Sequence, residues 1–301
     1  MRIVLTGCEG QLGRHLAPRL AELGELVRTD RTGGDFRCDL SDRRLVDKTL
    51  ARVRPDLVVN PAAWTAVDRA EDEPELAGRL NAELPGWIAR WCSDHDALMV
   101  HFSTDYVFSG QPGRGWREDD PPEPGNVYGR TKLDGERAIE DAGGRALIIR
   151  TAWLYSHFPG NFVSAILSRA LEGKPLTIVS DQVGSPTWAG HLAAATARLI
   201  ERRERLDAGC MRFHVAGRGR MSWFEFGRMA VGRAVAHGLL PAPVEVAPIE
   251  SANWPQKARR PLWSVLDCER YERFTDSRLP DVDAGVEACI TEWKESTCSS
   301  R

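Results

Sequence analysis

Arg2-Ile3-Val4-Leu5-Thr6-Gly7-Cys8-Glu9-Gly10-Gln11-Leu12-Gly13 decides the fold. Residues 2–6 are a short apolar run, read as a buried strand. Leu12, Leu16, Leu20 and Leu23 then recur at helical spacing, and Gly24 stops the pattern. Glycines in the frame Gly-x-x-Gly-x-x-Gly join the two (Gly7, Gly10, Gly13). Glycine permits a tight turn and close backbone approach, and the free N–H groups of a helix N-terminus bind a pyrophosphate. The order strand, glycine turn, helix is what gives the glycines meaning, and it predicts a dinucleotide-binding unit.

The same alternation continues outward. Glu25 to Thr29 reads as a second strand ending at Asp30. Ser41 is expected to cap a helix running to about Val53, with Pro55 after it. Further strands are expected at 56–60, 97–102 and 146–150. Helices are expected at 75–94 and around Tyr128 and Lys132. Strands separated by helices predict an α/β fold, a doubly wound parallel sheet. Beyond residue 150 the pattern is less regular, with helices expected at 160–172, 188–204, 222–237 and 281–294. Strands are expected at 176–179 and 211–215, and the Pro-dense stretch 241–261 reads as loop. The expected division is a dinucleotide-binding domain over 1–150 and a smaller mixed α/β C-terminal substrate domain over 151–301. Part of 180–215 is expected to rejoin the first domain, so the boundaries interleave.

Asp30 stands where an acid can accept hydrogen bonds from an adenosine ribose. It would repel a 2′-phosphate, but Arg28 and Arg31 flank it and offset that repulsion, so NADH and NADPH both remain open. Asp39, before Leu40, can contact an adenine amino group or simply hold a turn.

Composition narrows the partners. Of 301 residues, 42% are hydrophobic and 28% charged, ordinary for a soluble globular protein. A net charge of −3 gives no reason to expect nucleic acid or an anionic membrane. No apolar run approaches the ~20 residues of a membrane span, and the opening residues are too few for a secretion signal. The seven cysteines include no Cys-x-x-Cys pair, so reduced thiols in a cytoplasmic protein are expected. The seven histidines show no ligand spacing, and no metal site is expected. His15, His95, His101 and His214 are read as structural.

Tyr128-Gly-Arg-Thr-Lys132 carries the chemistry. Residues four apart share one face of a helix. A phenol with a pKa near ~10 is a poor proton shuttle at neutral pH, whereas a nearby cation and oxidised nicotinamide lower that pKa. The spacing alone is common. It gains weight from the glycine loop, which supplies a hydride source, and from Thr104, which can hydrogen-bond the same oxygen. The predicted reaction is hydride transfer to a ketone, with Tyr128 giving the proton and Thr104 and Tyr128 stabilising the developing charge.

Several stretches together resemble the extended short-chain dehydrogenases/reductases, in particular the dTDP-4-dehydrorhamnose reductase branch. They are Thr6 to Gly13, Arg54-Pro55-Asp56, Val59-Asn60, Ala62 to Asp68, His101 to Phe108, and Val127 through Lys132 with Gly135-Glu136. Arg150 to Trp153, Asp181 to Thr187 and Arg259-Arg260-Pro261 complete the set, spanning nearly the whole chain. The resemblance implies a Rossmann-type domain. It implies a proton donor at Tyr128, a pKa-lowering, ribose-binding partner at Lys132 and a carbonyl contact at Thr104. Gly10, Gln11, Leu12, Asp30, Asp39, Leu40, Ala63, Trp64 and Thr65 would line the dinucleotide, and Asp105 and Trp153 would touch a nucleotide-sugar substrate. Pro61 and Trp64 depart from the pattern, which more often has a small residue and a Tyr or His there. Related dehydratases carry Asp-Glu after the Thr; here Tyr106 follows Asp105, which disfavours dehydration.

The implied activity is reduction of the C4 ketone of dTDP-4-dehydro-β-L-rhamnose to dTDP-L-rhamnose. A 4-ketoreductase of another stereochemistry and a non-catalytic NADP-binding regulatory subunit are the competing expectations. A homodimer is compatible with all three. Glu118 to Pro124 reads as a stiff solvated loop, with a lid as the alternative. Lys257, Arg259 and Arg260 could bind a diphosphate or form surface ion pairs. Trp153 could pack in the core or stack on a sugar.

Overall fold

The computed structural model describes residues 1–111 and 113–298. The side chain of Cys298 and residues 299–301, the end of the expected second domain, lie outside the described residues.

The chain begins β1 (Arg2–Thr6), α1 (Gln11–Ala21), β2 (Glu25–Asp30), β3 (Phe36–Arg37), α2 (Arg43–Val53) and β4 (Leu57–Asn60). There follow α3 (Val67–Ala70), α4 (Pro74–Gly78), a π turn (Arg79–Glu83), α5 (Leu84–Asp94), β5 (Leu98–Thr104), α6 (Val127–Asp141) and β6 (Ala146–Thr151). Next come β7 (Leu154–Tyr155), α7 (Phe162–Leu171), β8 (Leu176–Val179), β9 (Val183–Gly184), β10 (Thr187–Trp188), α8 (Ala189–Glu201) and β11 (Cys210–His214). The last elements are β12 (Met221–Ser222), α9 (Trp223–Ala236), β13 (Val246–Ile249), α10 (Glu269–Thr275) and α11 (Val282–Cys298).

Seven strands form one parallel sheet in the order β11-β6-β5-β4-β1-β2-β3. The chain winds outward in one direction from β1 and in the other from β4. The loops leaving these neighbouring strands therefore part, and a crevice opens at their C-terminal ends. Alternation along the strands fills two layers. Ile3, Leu5, Leu57, Val59, Val100 and Leu147 pack against α1 and α8. Val4, Val58, Met99 and Ile148 pack against α2 and α5, with Ile139 of α6. The chain thus returns to the sheet late, through α8 and β11. The remaining C-terminal elements gather α7, α9 and α11 around Ile166, Phe226, Ala230, Val286 and Ile290, with β8 paired to β13.

Four local differences from expectation have physical reasons. Asp42, not Ser41, caps α2 by accepting from the Arg44 amide at 2.8 Å, because the Ser41 hydroxyl is already donated to Asp39. The expected helix 75–94 is broken by the π turn, where the Asn81 carbonyl sits so close to Gly135 of α6 that a Cβ there would overlap it. β13 crosses the stretch read as loop; among the described residues its only sheet partner is β8, and such an edge tolerates Pro248. Glu118 is buried rather than solvated, its carboxylate accepting from the His214 amide at 2.8 Å.

Candidate active site

The crevice is a cavity of about 770 Å³. Every expected site residue lines it: Gly7, Gly10, Gln11, Leu12, Gly13, Asp30, Asp39, Leu40, Ala63, Trp64, Thr65, Thr104, Asp105, Tyr128, Lys132 and Trp153. They come from the ends of β1, β2, β4 and β5, from α6 and from the turn after β6. Arg31, read as flanking Asp30, lines it too, and Tyr106, Asn161 and Trp223 line it without having been expected.

The glycine loop is built by backbone. Gly7 has φ +55°, and a Cβ there would meet the backbone of Ala62 at 3.0 Å. A Cβ on Gly13 would overlap the Gly7 carbonyl oxygen and lie 2.8 Å from Cys8 Cα. The first helical bond of α1 runs from the Arg14 amide to the Gly10 carbonyl, 3.0 Å. Gly10 brings no capping side chain to the amides of Gln11, Leu12 and Gly13 ahead of it. Close backbone and uncapped amides fit a pyrophosphate. Asp30 accepts from the Glu9 amide at 3.3 Å, which ties the loop to β2. Arg28 is spent on Asp35, at 2.9 Å, whereas Arg31 lines the cavity. Asp39 accepts from the Ser41 hydroxyl and amide, and these bonds hold its carboxyl below the usual range.

The catalytic side is built by buried side chains. Asn126 caps α6 by accepting from the Gly129 amide at 2.7 Å, which fixes where Tyr128 and Lys132 begin their shared face. Burial pushes the Tyr128 phenol up to about 12, against a hydrogen bond with Thr104 that draws it down. Lys132, one turn further along, is held against β5. Its ammonium donates to the Phe102 carbonyl at 2.6 Å and lies 3.2 Å from His101 Nε2. Burial brings Lys132 itself down to about 8, with Glu136 opposing. Thr104 donates to Asp105 Oδ1 at 3.0 Å and accepts from the Tyr106 amide at 3.2 Å, so it also holds the turn it ends. Asp105 is pushed up to about 7 by burial, against hydrogen bonds with Ser264 and Thr104 that draw it down.

Behind Lys132 lies a polar layer that spacing did not reveal. Glu136, one turn further along α6, accepts from Ser103 at 2.5 Å and from Arg150 at 2.8 and 2.6 Å. Asn81, in the π turn, brackets Trp64 by accepting from its amide at 2.8 Å and donating to its carbonyl at 3.1 Å. Its place depends on a turn type that no hydrophobic period announces.

Trp153 has φ +47°, a strained backbone for a bulky residue. Its indole stacks on Trp223, with centroids 3.5 Å apart and planes at 4°. The stack leaves no room for a side chain at Gly184. Trp153 thus packs on Trp223 and also lines the cavity. Arg260 and Lys257 are engaged in ion pairs with Asp68 and Asp72, and the Arg260 bond holds Asp68 at about 2. His15 of α1, His157 and Glu292 of α11 bring their donor atoms within 4.8 Å of one another, a grouping invisible in their spacing. His157 Nδ1 is 3.0 Å from the Glu292 carboxylate, a contact that ties α11 to the turn after β7.

A parallel doubly wound sheet, an uncapped glycine loop at its switch point and a Thr–Tyr–Lys set in the same crevice define an extended short-chain dehydrogenase/reductase. The family model "RmlD substrate binding domain" matches residues 1–295, and the chain belongs to that family. It is 38% identical to a dTDP-4-dehydrorhamnose reductase of Salmonella typhimurium, over 99% of each chain. A reductase of the same name from Escherichia coli K12 is 36% identical, again over 99% of each. Among solved structures, a dTDP-4-dehydrorhamnose reductase of Bacillus anthracis in complex with NADP superposes with a TM-score of 0.87 at 29% identity, covering 97% of this chain and 99% of that one. No helix of the described residues is long and apolar enough to cross a membrane.

Proposed function

We propose that this protein reduces the C4 ketone of dTDP-4-dehydro-β-L-rhamnose to dTDP-L-rhamnose, in the cytoplasm, with NADPH or NADH as the reductant. The observation that carries the proposal is the gathering of Thr104, Tyr128 and Lys132 with the glycine loop around one cavity. The full-length likeness to reductases of that name supports it.

The residues around the cavity fit a nicotinamide dinucleotide. The amides of Gln11 to Gly13 would hold its pyrophosphate, Asp30 the adenosine ribose, and Asp39 with Leu40 the adenine. Arg31 would meet a 2′-phosphate, since Arg28 is already paired. Bound in this way, the reduced cofactor contributes a hydride for the carbonyl carbon. The protein's part is the oxygen. Tyr128 stays protonated through neutral pH and gives its proton to the oxygen as charge develops there. Thr104, whose hydroxyl donates to Asp105 here, would turn that proton to the same atom. Lys132 keeps a positive charge on the helix face of Tyr128. Trp153, backed by Trp223, forms a flat wall for the sugar. Asp105 without a following glutamate leaves no acid pair for eliminating water.

The test is to mix the protein with NADPH or NADH and the 4-keto sugar nucleotide, generated in situ by its epimerase, and follow absorbance of the reduced cofactor. NMR of the product fixes the C4 configuration. Tyr128→Phe is expected to cut turnover by about 10²–10⁴-fold while cofactor still binds. No consumption with either cofactor overturns the function; retained turnover in Tyr128→Phe overturns the proton donor.

A further inference from the structure

We infer that His101 is a positioning residue for the reduction: its neutral imidazole presents a lone pair at Nε2 that holds Lys132 in its charged form. The inference rests on the assignment of Lys132 made above.

The geometry is a buried chain. Lys132 Nζ is 3.2 Å from His101 Nε2, His101 Nδ1 is 3.1 Å from the Asn60 amide, and that amide is 2.5 Å from the Thr6 hydroxyl. All four side chains are buried. An ammonium can only donate, so Nε2 must accept. A neutral imidazole that accepts at one nitrogen donates from the other, so Nδ1 carries the hydrogen. Asn60 then has to turn its oxygen toward His101 and its NH₂ toward Thr6. Heavy-atom positions allow that exchange, because amide oxygen and nitrogen are assigned from the network around them. With it, both imidazole nitrogens and the Asn60 amide are matched, and the Thr6 hydroxyl becomes the acceptor of the Asn60 NH₂. The opposite assignment puts a donor on each imidazole nitrogen and leaves a buried conflict.

The surroundings keep His101 neutral. Burial and the facing Lys132 both push its pKa well down. The other charges near Lys132 are on or against its own helix. Glu136 is one turn along, bonded to Arg150 of β6 and close to Arg212 of β11. Tyr128 is one turn back, with Asp105 at the end of β5. From β5 itself Lys132 meets only His101 and the Phe102 carbonyl. The chain also ends at Thr6, the residue before Gly7. One row of hydrogen bonds thus joins the cofactor loop to the catalytic lysine across β1, β4 and β5.

Removing the acceptor leaves the ammonium with the Phe102 carbonyl alone, so it should lose its proton at lower pH. In His101→Leu the alkaline limb of the kcat profile is expected to move down by about one pH unit, with kcat at pH 8 falling about fivefold. His101→Gln, whose amide oxygen can accept, is expected to restore both. Should His101→Leu fail to fold by thermal melt, Asn60→Leu is expected to move the limb in the same direction by freeing the tautomer. A limb that stays in place in a folded variant overturns the inference, as does a uniform loss at all pH values with Gln no better than Leu. Lys132→Met, measured alongside, separates the two claims: wild-type turnover there overturns the role of Lys132 itself, whatever the His101 variants do.

Discussion

The two walls of the crevice are made of opposite materials. The glycine loop is made by the absence of side chains: Gly7 and Gly13 let backbone approach backbone, and the amides of α1 are left free. The catalytic wall is made by side chains that proteins rarely bury, among them Lys132, His101, Glu136 and Arg150. The difference teaches what each wall can lose. The first should tolerate changes of charge and no added carbon. The second should tolerate modest changes of shape and no unanswered charge.

The largest expected effect lies in the buried pair. Arg150 and Glu136 are each about 1% exposed and joined by two hydrogen bonds. Arg150→Met leaves Glu136 buried on α6 with Ser103 and the Arg212 guanidinium at 3.3 Å. Breaking one side of a buried pair costs about 3–5 kcal/mol, to be read from urea unfolding. A loss under about 1 kcal/mol would mean that water reaches Glu136, and the contrast between the walls would be false.

Next in size is a pH effect on the same wall. The folded protein raises Asp105 above its ordinary value to about 7. A carboxyl raised on folding contributes stability that is fully present below its unfolded pKa and is lost as pH climbs through the folded one. Between about pH 4 and pH 7 the wild type should therefore lose on the order of a few kcal/mol relative to Asp105→Asn. The check is the difference in unfolding free energy between the two proteins across that window. A difference independent of pH would mean that Asp105 is already ionised in the fold.

The loop comes third. Gly13→Ala sets a carbon against the Gly7 carbonyl and Cys8 Cα, both backbone, so the loop has to shift. The expected cost is about 1–3 kcal/mol, together with weaker NADPH binding by fluorescence titration. Gly10→Ala, whose Cβ would lie 3.2 Å from the Gly7 carbonyl, should do less. Equal effects at both positions would show that contact distance is not what selects glycine here.

The same division explains what the sequence could and could not say. The strands β1, β4, β5 and β6 and the glycine loop are written in short-range patterns: apolar runs, helical periods, glycine spacing. The cavity residues were found because they sit in those runs or match motifs along the chain. The polar layer was not, because His101, Ser103 and Arg150 lie in strands that are buried throughout, where no alternation marks a polar side. Only the pairing of β5 with β6, Ser103 opposite Arg150, brings them onto Glu136. β13 was hidden by Pro248 and the prolines around it, and the π turn by a helical period that runs through it. His15, His157 and Glu292 meet only because α1, the turn after β7 and α11 do.

The smallest effect is the sharpest test of the comparison, because it uses the same pair of residue types. Arg14 and Glu9 at the rim of the loop are joined at 2.8 Å, against 2.6 Å for Arg150 and Glu136, but their side chains are 46% and 41% exposed. Water answers either charge when the other is removed, so Glu9→Gln should change stability by no more than about 0.5 kcal/mol. Arg14 keeps its bond to the Glu9 backbone carbonyl, 2.9 Å, which the substitution does not touch. Unfolding of Glu9→Gln and Arg150→Met in the same buffer then compares one ion-pair chemistry in two settings. A ratio near one would mean that burial is not what separates the walls. A cost at Glu9 above about 1 kcal/mol would mean that the loop is held by side chains after all.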